Sequence, residues 1–477
     1  MGEQSTLFGK QYPSTFDGSA GRKAVAGAAQ AAGCHLPVGV FSLAREGGQR
    51  VCCLRITQQA DRPPMKPQHT TTLSQIFSLP VIVAALGYFV DIYDLVLFSI
   101  VRVPSLKALG FSGQALIDNG VFLLNMQMAG MLAGGILWGI LGDRKGRLTI
   151  MFASICIYSL ANLANGFATS LPAYAALRFI AGIGLAGELG AGITLVSEIL
   201  PKSIRGYGTM LVASVGVSGA ILANLVASTF DWRTAFVIGG ILGLLLLITR
   251  IRVAESGMFR AMGGKVGMSR GNFLALFTDW QRFRRYLNSI MIGIPIWFVV
   301  GVLITFSPEF ALSLNITGVV SAGNAVMFCY LGLIFGDFSS GFLSQLLQSR
   351  KKAITLFMLM TVAGIGLYFL QSGQSPAFFY GVCTLLGFAG GYWAIFVTVA
   401  AEQFGTNLRA TVATTVPNFV RGMVVPITML FQLGRSYLSL ESSALLVGAA
   451  CLVAAFLALA GLEETFHKDL DYFEEFL

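Results

Sequence analysis

Long apolar segments separated by short polar turns make up most of the chain. From residue 79 onward, apolar runs recur at about the ~20 residues that an α-helix needs to cross ~30 Å of hydrocarbon. Strands of a membrane barrel would be about half as long and would alternate apolar with polar positions. The pattern therefore predicts an all-α membrane protein.

Twelve spans are predicted, in two groups of six that a basic, polar stretch separates. The predicted spans are 79–103, 119–141, 148–168, 171–200, 207–230, 232–251, 287–310, 319–347, 353–371, 377–401, 411–433 and 442–462. The predicted domains are an N-terminal bundle at 79–251, a cytoplasmic connector at 252–286, a C-terminal bundle at 287–462 and a cytoplasmic tail at 463–477.

The stretch before the first span has a different composition. Residues 1–64 are rich in Gly, Ala, Gln and Arg and lack a sustained apolar period, which predicts that 1–78 is a disordered tail with a polar leader. The tail also lacks the layout of a cleavable signal peptide. Met65 stands directly before the leader, so two interpretations stay open: residues 1–64 are translated, or Met65 is the true start.

Composition and charge support a membrane location. The chain is 55% hydrophobic and 12% charged, with a mean hydropathy of +0.73, whereas soluble domains are about 25% charged. The net charge of +9 does not come from one patch, since the cations gather in turns on one side of the predicted bundle. The positive-inside rule then predicts a multi-pass inner-membrane protein with both termini in the cytoplasm and no nucleic-acid partner.

Sequence features of enzymes and metal proteins are missing. There is no Cys-x-x-Cys spacing, no phosphate-binding Gly-x-x-x-x-Gly-Lys-[Ser/Thr] loop and no visible nucleophile–base pair. The three histidines, His35, His69 and His467, all lie outside the predicted spans. We therefore expect no enzyme, no metal and no cofactor, and a proton carrier inside the membrane would have to be a carboxylate.

The turn between the second and third spans is tight and basic. Its pattern, Gly139-x-Leu-x-Asp143-Arg144-x-Gly146-Arg147, resembles the signature between helices 2 and 3 of the major facilitator superfamily. The resemblance implies a fold of twelve helices in two six-helix pseudo-repeats, and a latch at this turn that gates transport. The alternative is an ordinary basic loop.

A second motif occurs twice. Glu198 precedes Arg205 by seven residues after the fourth span, and Glu402 precedes Arg409 by seven after the tenth, at an offset of 402 − 198 = 204 residues. Such internal similarity indicates a repeat. The first copy also resembles the Glu-x-x-Pro-x-x-x-Arg-Gly signature that metabolite:proton symporters and sugar porters of the superfamily share, which adds these four residues to the gating set.

Two carboxylates lie within the first span. A charge at mid-membrane costs at least ~2.5–3.5 kcal/mol, so each needs a partner or a water-filled cavity. Asp91 and Asp94, at i and i+3, share one helix face, and such a pair suits proton exchange near neutral pH. We predict Asp94, the deeper one, as the proton carrier and Asp91 as a contributor to affinity. Permanent pairing of both with arginine is the alternative.

Two motifs resemble those of the metabolite:proton symporters, particularly the aromatic acid:proton branch. They are the Asp-x-x-Asp pair of the first span and Arg178-x-x-x-Gly182-x-Gly184 of the fourth. The resemblance implies that four residues take part in proton coupling: Asp91, Asp94, Arg178 and Glu188.

In that superfamily spans 1, 4, 7 and 10 line the central cavity, which makes Trp297, Tyr392 and Trp393 candidates for substrate contact; helix packing is the alternative. Arg421 in span 11 either pairs with Asp337 in span 8 or faces the cavity and binds a substrate carboxylate.

Together these features predict a monomeric secondary transporter. We expect proton-coupled symport of a small polar metabolite, an organic acid, by alternating access, with the proton gradient as the energy source. The fifth span lacks the Gly-Pro pair of the drug:proton antiporters, which disfavours drug export. The alternatives are a sugar porter and a transporter-like receptor that binds without moving its ligand.

Overall fold

The computed structural model divides the chain into two units, Met1–His69 and Thr70–Leu477. It describes residues 77–145, 147–188, 205–255 and 273–466, single residues at 190, 192, 196, 200, 468 and 474, and the backbone of 42–46 and 49–53. Side chains at 142–149, 205–207, 209, 252–255, 406, 407 and 410 lie outside the description.

In the first unit, β1 (Ser42–Glu46) pairs antiparallel with β2 (Gln49–Cys53), with Arg45 opposite Arg50. A Gly-Gly pair, favoured in two-residue hairpin turns, separates the two strands in the sequence. The sequence predicted a disordered tail here, whereas these ten residues form a hairpin. The prediction was based on composition, and composition does not show a local turn such as Gly-Gly.

The described residues of the second unit form helices and no strands. The helices are α1 (Leu79–Ala108), α2 (Gly113–Lys145), α3 (Arg147–Asn165), α4 (Leu171–Leu185), α5 (Arg205–Val217), α6 (Gly219–Thr229), α7 (Trp232–Glu255), α8 (Trp280–Met291), α9 (Ile294–Phe298), α10 (Ser307–Ser313), α11 (Ala322–Leu346), α12 (Arg350–Leu370), α13 (Pro376–Gly390), α14 (Trp393–Glu402), α15 (Thr406–Gly422), α16 (Val424–Arg435) and α17 (Leu440–Ala460). A 3₁₀ helix covers Phe273–Phe277 and a π-helix covers Val299–Ile304.

Ten helical segments of the described chain are long and apolar enough to cross a membrane, which confirms a helical membrane protein. Helices occur in every predicted span, but those at Ile150–Asn165 and Leu171–Leu185, in the third and fourth, are shorter than the other ten. The predicted fourth span, 171–200, does not continue as one helix, because α4 ends at Leu185 and Ala186 is its C-cap.

Side-chain caps set several helix starts. Ser170, Ser349, Ser375 and Ser439 each accept a hydrogen bond from a backbone amide in the first turn that follows. Asp279 caps α8 in the same way, since its Oδ1 accepts from the amides of Gln281 and Arg282 at 3.0 and 3.1 Å. Helix α8 thus begins at Trp280, inside the stretch 252–286 that the sequence predicted as the connector.

Polar contacts identify the two ends of the bundle. At one end, which we call the connector end, Arg350 Nη2 lies 3.5 Å from Glu402 Oε1, and Arg285 Nη1 donates to the carbonyl of Gln403. At the other, the far end, Arg435 Nη2 donates to Gln114 Oε1 at 2.9 Å. The starts of α8 and α12 therefore meet the end of α14 at the connector end, and the end of α16 meets the start of α2 at the far end.

Several spans are interrupted near their middles. The helix stops and restarts at 292–293, 391–392 and 423, and the π-helix Val299–Ile304 follows the first of these breaks. Irregular backbone at membrane depth is tolerated where it is buried in protein or lines a cavity. The breaks therefore mark the central layer, in which the charged residues of the first span also lie.

Candidate functional site

The centre of the bundle joins a carboxylate from the first span to an arginine from the eleventh. Asp91 Oδ2 lies 4.0 Å from Arg421 Nη1, and the two residues are 0% and 1% exposed. Neither oxygen of Asp91 has a hydrogen bond, and Arg421 Nε and Nη1 also lack one. This ion pair is long, so both partners have capacity for a further ligand.

Two tryptophans flank this pair. The guanidinium carbon of Arg421 lies 5.6 Å from the ring of Trp297 and 5.8 Å from that of Trp393. The two indoles meet edge to face, with centroids 6.2 Å apart, and Trp297 Nε1 is a buried donor without a partner. Cation–π attraction holds a guanidinium between such rings. The arrangement offers a positive charge, an open donor and flat apolar surfaces.

The helix break at 391–392 positions Trp393. Asp337 Oδ1 accepts from the backbone amide of Ala394 at 3.1 Å, in the first turn of α14. Tyr392 is fully buried, and its hydroxyl donates to the carbonyl of Ile292 at 3.0 Å, which ties this break to the one at 292–293. Asp337 therefore acts as a helix cap and does not form an ion pair with Arg421 in the described structure, whereas Arg421 faces the centre.

The second carboxylate of the first span has different surroundings. Asp94 is fully buried, lacks hydrogen bonds at both oxygens and packs on Gly239 of α7, where an added Cβ would lie 2.3 Å from Oδ1. Arg178 donates to Asn162 and stacks on Phe236 at 4.6 Å, and no ion pair within 4.0 Å joins it to Asp94 among the described residues. One helical turn thus separates two carboxylates with different partners.

Glu188 has a strong partner that the sequence pattern did not indicate. Arg250 Nη1 and Nη2 donate to Glu188 Oε1 and Oε2 at 2.7 and 3.0 Å, in a buried two-point ion pair. The pair packs against α1 at Gly87, where an added Cβ would lie 1.8 Å from Arg250 Nη2. Arg250 is the second-to-last residue of the predicted span 232–251, and cations at the end of a span commonly lie at the membrane surface, so the sequence did not mark it as a buried partner.

The predicted gating residues are described only in part. Gly139 faces α15, since an added Cβ would lie 3.1 Å from Thr415 Cγ2. Glu402 accepts from Thr465 Oγ1 at 2.6 Å as well as pairing with Arg350, and Arg409 donates to the carbonyl of Phe404. The remaining gating side chains lie outside the description: Asp143, Arg144, Gly146, Arg147, Glu198 and Arg205.

A buried carboxylate, an arginine with free donors and two indoles can bind a small anion with a flat ring. Guanidinium pairs with carboxylate through two parallel hydrogen bonds, and indole faces accept both a cation and an aromatic ring. We find no group of three or more His, Cys, Asp or Glu suited to a metal among the residues that the structure describes.

A bundle of membrane-crossing helices with broken central segments and a buried charged site is typical of membrane transporters. A model of the Major Facilitator Superfamily matches residues 84–423, and the chain belongs to this family.

Relatives of known name are also transporters. The chain is 26% identical over 348 residues to a putative niacin/nicotinamide transporter of Bacillus subtilis, covering 71% of this chain and 84% of the relative. It is 25% identical over 394 residues to a gentisate transporter of Corynebacterium glutamicum, covering 78% and 84%. Among solved structures, a proton:xylose symporter of the same superfamily superposes with a TM-score of 0.63 at 18% identity, covering 84% and 98%, which shows the fold.

Proposed function

We propose that this protein is a proton-coupled symporter for a small organic acid, and specifically for an aromatic carboxylate. It works as a monomer in the inner membrane with both termini in the cytoplasm, through alternating access between two six-helix pseudo-repeats that together have twelve spans. The observation that carries the proposal is Arg421, buried between Trp297 and Trp393 and only loosely paired with Asp91.

Exchange of partners at Arg421 accounts for coupling. When Asp91 is ionised, it competes with substrate for the guanidinium. When Asp91 takes up a proton, its charge is lost and Arg421 is free to bind a substrate carboxylate at two points. The loaded site then carries one proton and one anion, so the charge of the site is the same in the empty and loaded states.

The geometry favours Asp91 over Asp94 as the group whose proton is exchanged for substrate, because only Asp91 contacts Arg421. Asp94 and Arg178 form a second buried charged site, which we propose as a proton relay within the N-terminal half. Glu188 is held by both nitrogens of Arg250, so its role in coupling would be to orient that arginine.

The named relatives support the substrate class. Niacin and gentisate, which two relatives are named for, are both planar aromatic carboxylic acids. A sugar would bring no charge to Arg421 and would leave the Asp91–Arg421 pair unchanged. For this reason the sugar-porter alternative has less support from the site, although the likeness to the xylose symporter shows a shared fold.

Counterflow in proteoliposomes tests the proposal. Vesicles loaded with nicotinate or gentisate should accumulate the labelled acid transiently, and an imposed inward pH gradient should drive net uptake. Glucose and xylose serve as matched uncharged controls. Binding of an acid without any flux would indicate a receptor, and flux of the sugars alone would overturn the assignment to organic acids.

A further inference from the structure

Trp297 lies on a short helix between two irregularities of the backbone. This helix, α9, follows the break at 292–293 and runs directly into the π-helix. Gly293, at the break, packs on α15, since an added Cβ would lie 2.9 Å from either methyl group of Val420, the residue before Arg421. Packing at the start of α9 therefore brings Trp297 beside the helix that carries the arginine.

The indole N–H of Trp297 is a buried donor without an acceptor. The residue is 5% exposed, and its Nε1 forms no hydrogen bond with any residue that the structure describes. Trp138 is equally buried and shows the usual arrangement, since its Nε1 donates to the carbonyl of Ile183 at 2.6 Å. An indole nitrogen can only donate, and burying it without a partner is unfavourable. The group that satisfies Trp297 must therefore be an acceptor.

The carboxylate beside Arg421 does not serve as that acceptor. Both oxygens of Asp91 lack hydrogen bonds, although one of them lies 4.0 Å from Arg421 Nη1. The guanidinium carbon lies over the ring of Trp297, 5.6 Å from its centroid. Cation–π attraction uses the face of the ring, whereas the N–H projects from its edge. A planar acid bound to Arg421 can therefore meet the N–H with its own ring while the cation–π contact is kept.

We propose that Trp297 is a specificity-determining residue whose Nε1 donates to an acceptor on the ring of the substrate. This inference rests on the proposed function, in which Arg421 binds the carboxylate. A ring nitrogen or a hydroxyl oxygen on the ring supplies the acceptor, whereas the C–H edge of benzoate does not. The site therefore selects aromatic acids with such a heteroatom over benzoate, because a buried polar group left unpaired disfavours the analogue that lacks its partner.

Affinities for a matched set of acids test this assignment. Benzoate is compared with picolinate, nicotinate and isonicotinate, which replace one ring C–H by nitrogen at the three different positions relative to the carboxylate. Binding to the purified full-length protein is measured by calorimetry above neutral pH, where the pyridine nitrogen is unprotonated. We expect the wild type to bind at least one pyridine acid about tenfold more tightly than benzoate, the effect of one hydrogen bond to a buried donor.

Two variants assign the preference to its donor. Trp297→Phe keeps an aromatic ring and removes the N–H, so it should bind the preferred pyridine acid no more tightly than benzoate. Trp393→Phe is the matched control, because it removes the N–H of the other tryptophan beside Arg421 and should keep the preference.

Three results would overturn the proposal. The first is a wild type that binds no pyridine acid more tightly than benzoate, and this result decides even if a variant does not fold. The second is a preference that persists in Trp297→Phe. The third is an equal loss of affinity for all four acids in Trp297→Phe, which would place the N–H at the carboxylate. Failure of all four acids to bind the wild type would instead contradict the proposed function, and this inference with it.

Discussion

Arg102 in α1 donates from Nη2 to both carboxylate oxygens of Glu309 in α10, at 2.6 and 2.8 Å. The arginine is fully buried at the far end, its guanidinium stacks on Phe306 at 4.4 Å, and Thr305 Oγ1 meets Ser99 Oγ next to it at 3.0 Å. The pair joins the N-terminal half of the sequence to the C-terminal half. Under the proposed alternating access, opening of the far end would separate this pair.

Replacing both partners, as Arg102→Gln with Glu309→Gln, should favour opening at the far end. Loss of about 1.4 kcal/mol by which the ion pair stabilises the closed far end would raise the population with an open far end about tenfold. In a background without native cysteines, a Ser307→Cys probe, buried in the parent, should then react about tenfold faster with a membrane-impermeant maleimide. Leu312→Cys, at an 80% exposed position, is the control and should react equally fast in both. Unchanged labelling of the buried probe would mean that the pair does not close this end.

Arg421→Gln should weaken binding of an aromatic acid by about ten- to a hundredfold, because a hydrogen bond to a charged group is worth about 1.5–3 kcal/mol. Arg421→Lys should lose less, since ammonium keeps the charge but not the two-point geometry. Isothermal calorimetry on purified protein measures both. Arg435→Gln, a cation near the far end of α16, is the matched control. Equal affinities of Arg421→Gln and the wild type for the acid would show that Arg421 does not bind the substrate.

Asp91→Asn should abolish uphill, pH-driven uptake and retain exchange of substrate between the two sides, because a neutral residue mimics the protonated state and exchange needs no net proton movement. Asp94→Asn should slow pH-driven uptake, but the variant should still concentrate substrate against its gradient. Proteoliposome uptake under an imposed pH difference distinguishes the two. The opposite outcome, with coupling lost only in Asp94→Asn, would make Asp94 the proton carrier, as the sequence alone suggested.

Glu188→Gln should destabilise the protein, since it leaves Arg250 buried without a charged partner, a loss of about 3–5 kcal/mol for a buried ion pair. The double variant Glu188→Gln with Arg250→Met should recover part of the melting temperature, because it leaves no unpaired charge. Thermal unfolding of the detergent-solubilised protein measures this. If the single variant melts like the wild type, the ion pair is not a structural element.

Asp143→Asn should slow transport by more than about tenfold while leaving substrate affinity within about threefold, since a gate acts on the conformational step. Gln345 lies four residues after Gly341 in the second half, as Asp143 lies four residues after Gly139 in the first, and it is exposed, so Gln345→Ala is the matched control. Turnover and binding are measured on the same preparation. An unaltered turnover rate in Asp143→Asn would mean that the motif is an ordinary basic loop in this protein.

Much of the fold follows from local properties of the sequence. The apolar runs beyond residue 79 have the length that hydrocarbon demands, and helix satisfies every backbone polar group within one segment, so spans and their approximate ends can be predicted. The start of α8 was harder to predict. Asp279 caps the helix, and its polar first turns precede the apolar run that was predicted to begin at residue 287.

Candidate site residues were identifiable because charges inside a membrane are costly and therefore few. Asp91, Asp94, Arg178, Glu188 and Arg421 could all be selected on that ground. Their pairing could not be predicted, because the partners come from helices whose relative rotation and breaks are set by packing. Sequence spacing placed Asp91 and Asp94 on one face, yet Asp91 contacts α15 and Asp94 contacts α7.

The sequence by itself determined that this is a helical membrane protein with the motifs of a transporter family, because length, hydropathy and short signatures are local. Only the tertiary structure decided that Arg421 faces Asp91 between two tryptophans, that Asp337 caps α14, and that Arg250 holds Glu188. Each of these contacts joins residues more than 50 positions apart in the sequence. The choice among partners of similar charge depends on which helix faces pack together, and no local pattern records that choice.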